Sequence, residues 1–553
     1  MKKILVAIIL ILFSTQIIAC KNNKPEKPAE KDNKTIKPTP TSLTPEYGGT
    51  IISASIGDAS VLLPPLASDS ASFDIIGLVY DTVLKYDKDL NLIGELAESW
   101  EVKNDGKEIV FHFYKNIKWH DGKPFTADDV IFTYNVIVDP KTPTAYSGQY
   151  KDIEKITKID DYTVSVKYKI SFAPALSSWA GFQVIPKHLL QGKDITKSPL
   201  RFKPIGTGPY KFVKWKTGDR ILLKANKEYF AGSPYINNYL YRVIPDQATI
   251  FLELKAGGID ESGLTPLQFV RQTNTKSFKE KFNKFNYIGF NYTYLGYNLK
   301  KELFKDKRVR QAISYAINKE EIISSVLYKQ GIVATGPYKP GTWYYNPNVK
   351  KYEYNINKAK QLLKDSGWIE KKKDGILYKN NKPFEFTLMT NQGNKQRNLA
   401  AEIIQQRLKE VGIKMNIRII EWSSFINEFI NKRKFDAIIL GWGLDTDPDQ
   451  YDIWSSTKTK PEEFNFISYN NKEVDKILDE ARHTFNKEKR KLLYYKFQEI
   501  LAEEQPYTFL YVPYSLVAVN KKIKGITPAP AGISYNFTKW YIPKKLQRAE
   551  IIK

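Results

Sequence analysis

Cysteine occurs once in this 553-residue chain, at Cys20, and histidine only four times. One thiol forms no internal disulfide, so the fold must stand on its apolar core. His112, His120, His188 and His483 are scattered, without the spacing of a metal site. There is no G-x-S-x-G elbow and no G-x-x-x-x-G-K phosphate loop. Acidic pairs such as Asp128-Asp129 are adjacent on a predicted helix, so they do not converge as a catalytic acid and base would. The chain is therefore expected to be no enzyme and to use no metal and no cofactor.

Long apolar runs are equally scarce. After the basic start Met1-Lys2-Lys3, the stretch Ile4 to Phe13 is almost wholly aliphatic, but Ser14, Thr15 and Gln16 end it too early for a membrane span. A basic start, a short apolar core and a small residue at the cleavage point read as an export signal over residues 1–20. Cys20 follows Ile17-Ile18-Ala19 and resembles the cysteine of a bacterial lipobox. That resemblance implies lipidation of Cys20, with several acyl chains giving a stable anchor. Residues 21–46 are rich in Lys, Asn, Pro and Thr and read as a disordered tether. The expected location is the cell envelope, membrane-anchored and facing the periplasm or the exterior.

The formal charge is +25, of which eight lysines against three acidic residues in positions 1–40 account for five. The remaining +20 is spread along the chain with no long basic block, which reads as a solvated lysine-rich surface rather than a nucleic-acid face.

The stretch Phe435–Asp449, FDAIILGWGLDTDPD, carries the chemistry. Ala437 to Leu440 reads as a buried strand that stops at Gly441-Trp442-Gly443. Asp445, Asp447 and Asp449 lie just beyond it, where ligands of α/β folds gather. An aspartate beside an indole there is a candidate anchor for a cationic group, although a solvated turn reads equally well from these residues. A calcium loop does not fit, because Gln450 and Ser456 stand where its glycine and glutamate belong.

Along the folded part, strands are predicted over Tyr47 to Ser55, at Ile109-Phe111-Phe113, at Met415-Ile417-Ile419 and over Leu510 to Val519. Helices are predicted over Phe73 to Lys85, after an N-cap at Thr126, over Arg308 to Leu327, from Leu399 to a Gly412 stop, from Ser423 to Ile430, from Val474, and over Leu492 to Leu501. The αβαβ succession of the second half suits a layered α/β lobe.

Several ordered motifs carry a family resemblance. Gly94 to Trp100 reads G-x-L-A-x-S-W in form, and His120-Asp121-Gly122 leads into Pro124-Phe125-Thr126-Ala127. Gly206-Thr207-Gly208-Pro209-Tyr210, Phe304 to Ala312 and Gly441-Trp442 follow in order. Together they resemble the family 5 extracellular solute-binding proteins of ABC importers, which take peptides, dipeptides or nickel. The resemblance implies an α/β, two-lobed periplasmic-binding-protein type II fold with an extra subdomain in the N-terminal lobe. It places lobe I in residues 47–85, 204–289 and 511–553, its inserted subdomain in 86–203, and lobe II in 290–510. It makes His-Asp-Gly a structural turn, and it implies a monomer serving permease and ATPase subunits on other chains.

For the site, the resemblance assigns the ligand's α-amino group to Asp445, three residues after the Gly-Trp pair. Trp442 and Trp422 would wall the pocket, Gly441 and Gly443 would leave backbone groups open, and Tyr146 would touch the peptide. Some oligopeptide binders carry an arginine six residues before that aspartate, where this chain has Ile439, so the partner of a peptide carboxylate stays open. A sugar or chelated-nickel binder on the same frame, or a surface adhesin or sensor, are the alternatives.

Overall fold

The computed structural model describes residues 44–548. The signal, Cys20 and nearly all of the 21–46 tether lie outside them. Among the described residues no helix is long and apolar enough to cross a membrane.

The frame is a mixed sheet of 12 strands that runs through both lobes. Strand Tyr507–Asn520 belongs to both halves: its first residues pair with Asn291–Tyr297, and its residues 514–520 pair with Phe282–Ile288. In one lobe Thr50–Ser55 runs parallel to Asn238–Val243 and packs on the helix Ser70–Val79 through Ile51, Ile75 and Ile76. In the other, Glu385–Asn391 runs parallel to both Lys414–Ile420 and Ala437–Gly443. That lobe buries Val309, Ile313, Ile404, Leu408 and Ile439 around it. A separate four-stranded antiparallel sheet within residues 97–168 has its own core around Phe111, Trp119, Phe125 and Trp179.

Local signals explain most helix ends. Asp129 accepts the Thr126 N–H at 3.0 Å at the start of Ala127–Val138. Lys395–Glu410 ends two residues before Gly412, whose φ is +81°, a left-handed value that suits glycine.

Four elements differ from expectation. The helix predicted over 73–85 is Ser70–Val79, because Asp69 caps it by accepting from Ser72 N at 3.0 Å. Its end is set by Gly208, whose N–H takes the Val79 carbonyl at 2.9 Å, and Leu84–Tyr86 is a strand. The helix predicted over 308–327 is two, Lys307–Ala316 and Lys319–Ser325, since Asn318 caps the second through Glu321 N. Glu421, not Ser423, caps the turn at Trp422, accepting from Ser423 N and Ser424 N at 2.8 Å. The Ala437 strand does not stop at the glycines but runs through Gly443, paired with Asn291–Tyr297.

Candidate functional site

Register decides which backbone groups face outward at the end of Ala437–Gly443. Leu444 N donates to Phe290 O at 2.7 Å, so Trp442 and Leu440 direct their N–H and C=O groups to the same neighbour. Gly441 and Gly443 therefore point theirs to the opposite edge. Glu385–Asn391 covers that edge only at Ala437 and Ile438, which leaves it open beyond them.

A cavity of about 400 Å³ lies along this edge. It is lined from one side by Ser68 to Phe73 and Tyr146 and from the other by Trp422, Leu440 to Asp445 and Phe464. Asp445, Trp442, Gly441, Gly443, Trp422 and Tyr146, the six candidate residues from sequence, all border it.

The three aspartates of the loop divide. Asp449 is held by Arg482 at 2.9 and 2.6 Å, and Arg482 is wholly buried. Asp447 is gripped by both terminal nitrogens of Arg490 at 3.0 and 2.8 Å. These two bidentate pairs hold the loop. Asp445 has no cationic partner among the described residues. Its carboxylate accepts from Thr446 N at 2.6 Å and Thr446 Oγ1 at 3.2 Å, and the Tyr86 hydroxyl donates to it from the other lobe. Asp445 is open to the cleft, yet protein crowds it from both lobes; this burial raises its carboxyl pKa, and Thr446 opposes the shift.

Trp442 stacks on Phe466 at 5.5 Å and meets Phe464 edge-on at 5.2 Å, its indole N–H reaching Tyr507 OH at 3.3 Å. It forms a rigid apolar wall. Trp422 donates to Asp69 Oδ1 at 3.1 Å across the cleft, so its polar edge is engaged and its ring lines the cavity. Asp69 is already saturated by Ser60, Ser72 and this indole. The Tyr146 hydroxyl is likewise occupied, on Ala67 O at 2.8 Å, which leaves the ring to face the cavity.

Sequence reasoning missed Arg397. It sits in the first turn of Lys395–Glu410, the helix that follows Glu385–Asn391, and reaches the cavity beside Gly441. Its Nη1 donates to Asn391 Oδ1 at 2.9 Å, and no carboxylate pairs with it among the described residues. Burial lowers its pKa, with Tyr511 and Tyr294 opposing. Ile439 is fully buried in the lobe core, so its side chain does not reach the cavity and Arg397 is the cation there. A topological signal was available: Arg397 and Asp445 both follow the carboxyl ends of neighbouring parallel strands.

Two lobes that share a crossing strand, with a cavity at their junction that holds an aspartate and an arginine without ionic partners among the described residues, define a two-lobed ligand-binding protein. The chain belongs to the bacterial extracellular solute-binding proteins, family 5 (Middle), whose pattern matches residues 91–464. It is 37% identical over 550 residues to the oligopeptide-binding protein AppA of Bacillus subtilis, covering 97% of this chain and 98% of that one. The solved structure of AppA with a nonapeptide superposes with a TM-score of 0.86, covering 90% of this chain and 100% of that one at 37% identity. NikZ of Campylobacter jejuni with Ni(L-His) gives 0.80 at 30% identity, over 89% and 99% of the two chains. DppA of Helicobacter pylori with the peptide STSA gives 0.81 at 28% identity, over 90% and 99%.

Proposed function

We propose that this protein is the substrate-binding lipoprotein of an ABC importer, capturing peptides between its lobes and handing them to a membrane permease. One observation carries the reading: the cavity offers an uncompensated carboxylate at Asp445 and an uncompensated guanidinium at Arg397, complementary to the two ends of a peptide zwitterion. An ion pair formed inside the cavity, partly shielded from water, selects each end of the ligand by charge. The outward backbone of Gly441 and Gly443 accepts an extended main chain as an added strand. Trp442, Trp422 and the Tyr146 ring enclose side chains without specifying them. The peptide relatives AppA and DppA support this reading, and lobe I as residues 47–85, 204–289 and 511–553 with lobe II as 290–510 fits it.

The permease and ATPase are other chains, the protein acts as a monomer, and Cys20 carries the lipid. Calorimetry with a panel of short peptides, and mass spectrometry of ligand retained through purification, test the ligand class. Failure of every peptide, with binding of a sugar or a chelated metal, would replace the peptide assignment. Cys20→Ser should release the protein from the membrane fraction or leave it unprocessed; a processed, membrane-bound mutant refutes the anchor.

A further inference from the structure

Most buried cations among the described residues have partners. Arg482 has Asp449, Arg490 has Asp447, Lys458 has Asp452 at 3.3 Å, and Lys522 has Asp260 at 2.6 Å. Arg310 donates to the carbonyls of Phe304, Lys305, Glu504 and Gln505. Arg397 lacks a carboxylate and faces the ligand cavity. Lys319 also lacks one: it is 9% exposed, and its side chain makes no hydrogen bond or ion pair among the described residues. It too lines a cavity, of about 370 Å³.

That second cavity shares no lining residue with the first. Thr335, Lys350, Tyr352, Gln505 and Phe509 form its walls with Lys319. Lys350 is paired with Glu503 at 2.7 Å. Glu320 and Glu353 lie at the rim, both exposed, and neither reaches Lys319. Burial pulls the Lys319 pKa down to about 8, so at neutral pH the ammonium is still mostly charged, and no carboxylate meets it among the described residues.

We propose that this cavity is an oxyanion site, separate from the peptide cleft, in which Lys319 receives a carboxylate or phosphate group. A compact ammonium with three donors suits either group, and the Thr335 hydroxyl at the wall shares a hydrogen bond with Tyr345 OH at 3.0 Å.

The test is the thermal midpoint of the whole protein at pH 7 in phosphate, and separately in acetate, against chloride at equal ionic strength. The expected result is a saturable rise of a few degrees in one oxyanion, which names the group, and its loss in both Lys319→Met and Lys319→Gln. Peptide affinity should not change in either variant, because the cleft is untouched. Lys319→Met should also melt higher than wild type in chloride, since an apolar chain replaces an unpaired buried charge. No rise in either oxyanion, or an equal rise in the variants, overturns the proposal. Should neither variant fold, reductive methylation of the wild type decides: protection of Lys319 by the effective oxyanion upholds the site, and equal labelling with and without it refutes it.

Discussion

The Nη2 atom of Arg397 lies 2.9 Å from the point where Gly441 would carry a β-carbon. The guanidinium occupies the space that the missing side chain leaves, so the glycine at the strand end and the arginine of the helix start beside it form one device. Gly441→Ala should push Arg397 off its position. Affinity for a peptide with a free carboxylate should fall about tenfold or more, on the order of 1–3 kcal/mol. A C-terminally amidated peptide should be affected much less. Calorimetry with both peptides checks this, and equal losses for the two would break the link between Gly441 and the carboxylate.

Asp445→Ala strands the peptide ammonium and should cost about 2–5 kcal/mol in affinity. N-acetylating the peptide should weaken wild-type binding comparably, and the two losses should not add, because each breaks the same contact. The raised carboxyl pKa gives a pH signature. As pH falls through that value Asp445 takes a proton and loses its attraction for the ammonium, so affinity drops at a higher pH than an ordinary aspartate would give. Titrations between pH 4 and 8 should show this drop in wild type and a flat profile in Asp445→Asn.

Closure of the lobes should depend on Gly148. A β-carbon there would stand 1.9 Å from Asp452 Oδ1, and the Gly148 carbonyl accepts from Arg482 at 2.7 Å across the junction. Gly148→Ala should hold the lobes apart, enlarging the radius of gyration in the presence of ligand and weakening binding. Small-angle scattering of both proteins with peptide measures it; identical radii would show that the turn tolerates the methyl.

Glu261 supplies a stability test. Burial raises its carboxyl pKa to about 7, Ser53 opposes the shift, and Asp74 and Asp260 add to it. An unfolded glutamate titrates near about 4.3. The folded state therefore holds the proton more tightly, and its stability falls as pH climbs from about 4 to about 7, after which both states are ionised. Glu261→Gln removes that loss. Its melting temperature relative to wild type should rise across this window and level off above it; a difference independent of pH would contradict the buried-carboxyl reading.

Sequence alone determined the local parts of this protein. The Thr126 start, the Gly412 stop and the alternation of Met415, Ile417 and Ile419 are set within a few residues, so propensity and period reveal them. The same holds for the cavity edge: an apolar strand, glycines, an indole and acids in one stretch mark a strand end that borders the cavity. Helix breaks such as Asn318 escaped because an apolar stripe continues across them while a side-chain cap interrupts the backbone. What only the tertiary structure decided is the charge balance. Asp445, Asp447 and Asp449 look alike in the chain, yet Arg482 and Arg490, 33 and 43 residues onward from their partners, neutralise two of them. Arg397, far earlier in the chain, supplies the opposite charge where Ile439 is turned into the core. Electrostatic pairing acts through space across the packed lobe, and no periodicity in the chain records which helix end will arrive beside which loop.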